Sequence, residues 1–284
     1  MRVALATCMN LPEPDPDQPL LLDALAARGL TPTMMAWDDP SADWSSVRAC
    51  VIRSTWNYYR AIDRFMAWAE RTARVTTLWN PLSIVRWNVD KRYLQSLEKK
   101  GVPIVPTRFV GRDEATSLRD VMRELSAEVV VVKPAISAAS FATVKVDEGE
   151  ASRAAGEAHL RELVARGDVL VQPYVPSVER YGERSLIWID GAMTHAIRKS
   201  PRFGGEHENV SAAMPIADDE RALAERALET IAEPLLYARI DLARDERGGP
   251  MIMELELLEP SLFLAQHPPA LDRFADAIAR RCAP

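Results

Sequence analysis

Short apolar runs separated by helix-period segments organise the first third of the chain. Residues 2–7 (Arg-Val-Ala-Leu-Ala-Thr) are almost continuously apolar, the pattern of a buried strand. Leu21, Leu22 and Leu25 follow at helical spacing, with Asp17 expected as N-cap and Gly29 as the stop. Segments 47–53 and 75–79 read as two more strands around a helix at 61–74. Strands alternating with helices predict a parallel, doubly wound sheet, so the expected fold class is α/β. Ligands bind such sheets beyond the carboxyl ends of the strands. Arg53, Trp56 and Tyr58 stand at one of those ends. Arg53 can fork onto a substrate carboxylate, while the aromatics either face substrate or pin their own loop.

From residue 88 the pattern changes. A helix is expected over 88–101, with Asn88 as N-cap, Tyr93, Leu94 and Leu97 as its apolar face, and Gly101 as its stop. Lys91 and Arg92 fall in its first turn, where the helix dipole disfavours cations unless an anion binds nearby. A helix over 112–126 leads to four valines closed by Lys133, which is costly to bury unpaired. The small-residue loop 135–143 carries Ser137 and Ser140, which could cradle a phosphate but lack the glycines of a P-loop. A strand at 168–172 runs into Pro-Tyr-Val-Pro, leaving backbone groups for a planar ligand edge, and Glu179 and Glu183 follow. Asp190-Gly191 marks a tight hairpin ending on Arg198 and Lys199. A flexible loop is expected over 204–211, then helices near 218–233 and 270–283.

The stretch 237–260 concentrates the chemistry. Two apolar runs flank Gly248-Gly249-Pro250, an antiparallel hairpin. Strand alternation puts Glu254 and Glu256 on one face, with Met251, Met253, Leu255 and Leu257 on the other; Asp241 can lie across from the two glutamates. Three carboxylates on one face repel one another unless a cation sits among them, and oxygen-only ligands suit Mg²⁺. A solvated acidic face is the other reading.

Bulk composition narrows the class. Of 284 residues, 48% are apolar and the net charge is −6, with no basic stripe for nucleic acid and no apolar run of membrane-spanning length. Cys8, Cys50 and Cys282 lack metal-ligand spacing and fit reduced thiols in the cytoplasm. His159, His195, His207 and His267 form no metal motif. A first strand explains the N-terminus better than a signal peptide.

Taken in order, Asn80-Pro81, Asp90-Lys91, Val132-Lys133-Pro134, Gln172-Pro173-Tyr174, Glu183, Arg198, Asp241 and the Glu254–Glu256 pair resemble the ATP-grasp superfamily over about residues 80–264. Two features depart from it: Glu256 stands where many members have Asn, and the lid loop has Ser-Ala-Ala-Ser where glycines are common. The resemblance implies an N-terminal α/β unit (1–88), a central lid unit (89–172) and a C-terminal unit carrying the metal site (173–284), with ATP clamped between the two α+β units. It further implies ATP-phosphate contacts from Lys91 and Lys133, an adenine edge along Gln172, Tyr174 and Val175, and ribose on Glu179 or Glu183. Mg²⁺ would sit on Asp241, Glu254 and Glu256, and Arg198 would steady the transferred phosphoryl group. Arg-Ser-Thr-Trp-Asn-Tyr, Arg86-Trp-Asn-Val-Asp-Lys, Lys-Pro-Ala-Ile-Ser-Ala and Glu-Leu-Glu-Leu-Leu-Glu-Pro look most like the D-cycloserine synthetase group, which closes O-ureido-D-serine to D-cycloserine. That implies a small amino-acid substrate; Glu259, next to Pro260, is a candidate to face it, its role open. An intermolecular amino-acid ligase and a nucleotide-binding regulator are the alternatives, and a homodimer is left open.

Overall fold

The computed structural model describes residues 1–200 and 209–283. The first sheet is parallel, in the order β2-β1-β3-β4, from β1 (Arg2–Thr7), β2 (Thr31–Ala36), β3 (Ala49–Ser54) and β4 (Thr77–Trp79). Helices α1 (Asp17–Ala27) and α2 (Ile62–Val75) cross between its strands, as the alternation requires. Strand β2 escapes the sequence reading because Pro32 interrupts it. It lies at the sheet's edge, where a missing N–H is tolerated. Asp17 is not the cap of α1. The Asp15 carboxylate accepts the Asp17 N–H (3.0 Å), and Asp17 accepts the Ala265 N–H (3.1 Å) instead.

Next come α3 (Leu82–Asn88) and α4 (Tyr93–Lys99), two short helices where one was expected. The lid sheet is antiparallel, in the order β5-β8-β6-β7, from β5 (Arg108–Val110), β6 (Val130–Pro134), β7 (Val144–Val146) and β8 (Val169–Pro173). Its valines bury one face against α5 (Leu118–Glu124) and α6 (Glu150–Val164), so Lys133 is turned away from that core. The third sheet, β10-β9-β11-β12, is antiparallel. It contains β9 (Glu183–Ile189), β10 (Ala192–Lys199), β11 (Tyr237–Arg244) and β12 (Pro250–Glu256), preceded by α7 (Pro176–Arg180). Leu223 and Ala227 of α8 (Asp218–Leu228) pack on it, while Phe274 and Ile278 of α9 (Pro268–Cys282) share a core with Val3, Leu5 and Ile187. The loop expected over 204–211 lies, up to residue 208, outside the described residues, and so does His207.

Strand β12 is the edge of its sheet, and an unpaired edge buried in protein would leave backbone groups without partners. Residues 88–105 supply them. Asn88 donates to the Leu255 carbonyl and accepts the Leu257 N–H (both 2.7 Å), and Tyr93 Oη accepts the Leu255 N–H (2.9 Å). Val105 N–H donates to Ile252 O (2.9 Å), and Ile252 N–H to Pro103 O (3.0 Å). Asn88 is thus a substitute strand partner, not the N-cap expected of it. Of the stretch 89–172 expected as one unit, Tyr93, Leu97 and Ile104 pack on the third sheet, and the lid sheet spans Arg108 to Pro173.

Candidate active site

A cleft opens between the lid sheet, the third sheet and the loop after β3. Its floor is the face of β9, β11 and β12 opposite α8. Asp241 stands directly across from Glu254, and Arg239 across from Glu256. The predicted common face of Glu254 and Glu256 holds, with Leu255 and Leu257 in the core. Met253 does not follow its predicted alternation. A register shift leaves it as an extra residue opposite β11, so it faces the cleft and Ile252 is buried in its place.

Cations interleave with these acids. Lys133 reaches Glu254 Oε1 at 2.8 Å, and Lys91 lies 4.0 Å from the other oxygen. Lys91 also donates to the Ser137 carbonyl at 2.7 Å. Asp241 accepts from Ser185 (2.5 Å), Lys199 (2.8 Å) and Arg239 (2.9 Å); Arg239 bridges on to Glu256, and Lys199 to Glu183. Burial raises the proton affinity of every one of these carboxylates. For Glu254 the nearby Lys133 and Lys91 outweigh it and hold the pKa down to about 2, and for Asp241 Arg239 and Lys199 hold it well below the usual range. Glu183 lacks that surplus of cations, and burial leaves it at about 7. Among the described residues no three His, Cys, Asp or Glu side chains form a group that could hold a metal ion, so the expected Asp241, Glu254 and Glu256 trio is not gathered around one point; Arg239 and the lysines stand among them. The donor set is nevertheless oxygen-only, and Mg²⁺ needs few protein ligands when phosphates complete its shell.

Of the expected phosphate and adenine contacts, Lys91, Lys133, Ser137, Ser140, Gln172, Tyr174, Val175 and Glu183 all line the cleft. Gln172 is oriented by Thr107 (2.9 Å), and the Lys145 ammonium sits 3.7 Å from the Tyr174 ring centre. Glu179 does not join them. It is exposed on α7 beside Lys145 (3.5 Å). Trp56, Tyr58 and Glu259 line the cleft as well. Arg53 lies behind the wall, 2% exposed, donating to the Pro260 carbonyl (3.1 Å) and packed over Tyr237 and Phe274. It cannot fork onto a ligand from there.

Arg198 is the other displaced expectation. An unbroken register from the Asp190-Gly191 turn would put Arg198 opposite Glu183. Thr194 is an extra residue in β10, however, and beyond it the pairing is Arg198 with Arg184 and Lys199 with Glu183. Arg198 is therefore exposed, over the Tyr181 ring, and Lys199 takes the cleft face. Arg239 was also missed, although strand period alone puts it on the face of Asp241.

Known proteins share this fold. A solved structure of the D-cycloserine synthetase DcsG superposes over all of both chains with a TM-score of 0.90 at 34% identity. An ATP-grasp RimK domain protein from Sphaerobacter thermophilus (TM-score 0.71, 19% identity, 99% of each chain) and a D-alanine–D-alanine ligase from Bacillus anthracis complexed with ATP (0.70, 13%, 99% and 96%) have the same fold. The fold is that of the ATP-grasp ligases, enzymes that form carbon–nitrogen bonds. The family described as D-cycloserine synthetase DcsG, N-terminal domain, matches residues 3–80. Cycloserine biosynthesis protein DcsG of Streptomyces lavendulae is 38% identical over 286 residues, 95% of either chain. The chain belongs to the D-cycloserine synthetase family.

Proposed function

We propose that the protein is an ATP- and Mg²⁺-dependent cyclo-ligase of the cytoplasm that activates the carboxylate of O-ureido-D-serine as an acyl phosphate; the nitrogen bonded to the side-chain oxygen attacks it, phosphate leaves, and hydrolysis removes the carbamoyl group as carbon dioxide and ammonia to give D-cycloserine. The observation that carries the substrate is the full-length likeness to a D-cycloserine synthetase. A carboxylate resists attack by nitrogen because its leaving group is oxide; as an acyl phosphate it releases phosphate instead. The transferring phosphoryl group spreads negative charge over its oxygens, so positioning and neutralisation do most of the work. Lys91 and Lys133, now resting on Glu254, are free to transfer to phosphate oxygens. Lys199, with Arg239 behind it, takes the role the sequence suggested for Arg198. Asp241, Glu254 and Glu256 would hold Mg²⁺, which supplies further charge neutralisation when bound. Gln172, Tyr174 and Val175 offer the edge for adenine, Glu183 the acceptor for ribose, and Ser137 and Ser140 donors for phosphate. Trp56 and Tyr58 would bound the substrate. No side-chain nucleophile is needed.

ADP release should be measured against O-ureido-D-serine, its L-form and common amino acids, with product mass determined. Turnover on O-ureido-D-serine alone, lost with EDTA and in Glu254→Gln with the fold intact, is expected. Turnover only when a second amine is added would establish the intermolecular ligase instead, and no turnover across the panel would leave a nucleotide-binding regulator.

A further inference from the structure

Beyond β12 the chain runs irregularly through 258–261, and each carbonyl of that stretch is held by a different side chain. Leu258 O accepts from Tyr237 Oη (2.8 Å), Glu259 O from the Trp56 indole (3.0 Å), Pro260 O from Arg53 (3.1 Å) and Ser261 O from Arg239 (3.4 Å). Four converging donors on one loop fix its backbone far beyond what packing needs, the pattern of a segment that must present one group accurately. That group is Glu259. The residue is 9% exposed and lines the cleft next to Trp56. Among the described residues no other side chain donates a hydrogen bond to its carboxylate. Burial, and then the charge of Glu256, work against its ionised form, with Lys91 and Arg239 only partly offsetting them.

A buried carboxylate without a donor is held at a cost that a ligand can remove. Phosphate would be repelled by Glu259 and its neighbour Glu256. A primary ammonium brings a positive charge and three donors, matching what the site lacks. We propose that Glu259 anchors the α-ammonium group of the amino-acid substrate and so selects substrates that carry a free primary amine. The assignment rests on the ligase reading, since it presumes that an amino acid occupies the cleft beside Glu259. It also explains the position of Arg53: the residue that seemed suited to grip substrate instead holds the backbone of the residue that does.

Calorimetric binding in the presence of a non-hydrolysable ATP analogue and Mg²⁺ tests it, comparing O-ureido-D-serine with its des-amino analogue. Wild type should bind the amine about 10- to 100-fold more tightly. Glu259→Gln should lose most of that preference while binding the nucleotide analogue as wild type does. Steady-state assays of the same variant should show a raised KM for substrate with kcat changed much less. Equal binding of the two compounds by wild type, or no binding of either, overturns the anchor without reference to the variant. An unchanged preference in Glu259→Gln overturns it too, as does a fall in kcat at constant KM, which would make Glu259 a proton-transfer group. Failure of the ligase reading shows separately, as absence of ADP release in wild type.

Discussion

Replacing Lys199 and Arg198 in turn separates what β10 places in the cleft from what it leaves outside. In Lys199→Met, Asp241 keeps Arg239 and Ser185, but Glu183 loses the partner it meets across the strand pair. Breaking a buried ion pair costs about 3–5 kcal/mol; because Asp241 stays paired, we expect about 2–3 kcal/mol here. At roughly 2–4 °C per kcal/mol for a chain of this size, Tm should fall by about 5–10 °C. Turnover should fall by about 10²-fold or more, the scale of losing one charge-stabilising group. Arg198→Met removes only an exposed guanidinium over Tyr181, and should stay within about 0.5 kcal/mol and close to wild-type turnover. The pH dependence adds a second reading. Glu183 has a folded pKa of about 7 against 4.5 for the unfolded chain, so its favourable contribution is complete below pH 4.5 and is lost as pH rises through 7. Without Lys199, which lowers that pKa, the loss deepens. Asp241 works the other way: its depressed pKa stabilises above the ordinary aspartate range, and losing Lys199 weakens that contribution. The Tm gap between wild type and Lys199→Met should therefore widen from acidic to neutral pH. Thermal denaturation at a series of pH values, with ADP release alongside, measures both. Equal loss of turnover in the two variants, or a Tm gap that narrows as pH rises, would refute the register assigned to β10.

Asn88→Ala leaves the Leu255 carbonyl and Leu257 N–H without partners and should destabilise by about 2–4 kcal/mol in urea titration. Asn88→Asp should rescue little, because it turns an oxygen against the Leu255 carbonyl; a shift under about 0.5 kcal/mol in Asn88→Ala would mean that the strand edge does not depend on it. Gly182 has φ +103°, and a Cβ there would meet the Lys199 carbonyl oxygen at 2.5 Å. Gly182→Ala should therefore lower both Tm and turnover by displacing Glu183 and Lys199 together, and a wild-type turnover number would show that the β9–β10 pair tolerates that displacement.

Much of this protein was determined by local pattern. Alternating short apolar runs and amphipathic helices were enough for three of the four strands of the parallel first sheet, since buried parallel strands and their crossover helices leave distinct periods in sequence. The Gly248-Gly249-Pro250 turn and strand alternation put Glu254 and Glu256 on one face, and the lysine after four valines marked Lys133 as needing an anion. What the sequence could not decide was anything set by register or by partners far along the chain. One extra residue, Thr194, exchanged Arg198 for Lys199 at the cleft, and Met253 did the same on β12, because a single bulge reverses every side chain beyond it. Asn88 has the composition of an N-cap, and only the edge of a strand more than 160 residues away made it a strand partner. Arg53 stands where a substrate-gripping arginine would, yet the return of 258–261 past it turns it into a backbone clamp. Side-chain period is a local property and was legible. Bulges, strand edges and the carbonyls of an irregular loop are satisfied by whatever the tertiary fold brings near, so only the folded chain decided them.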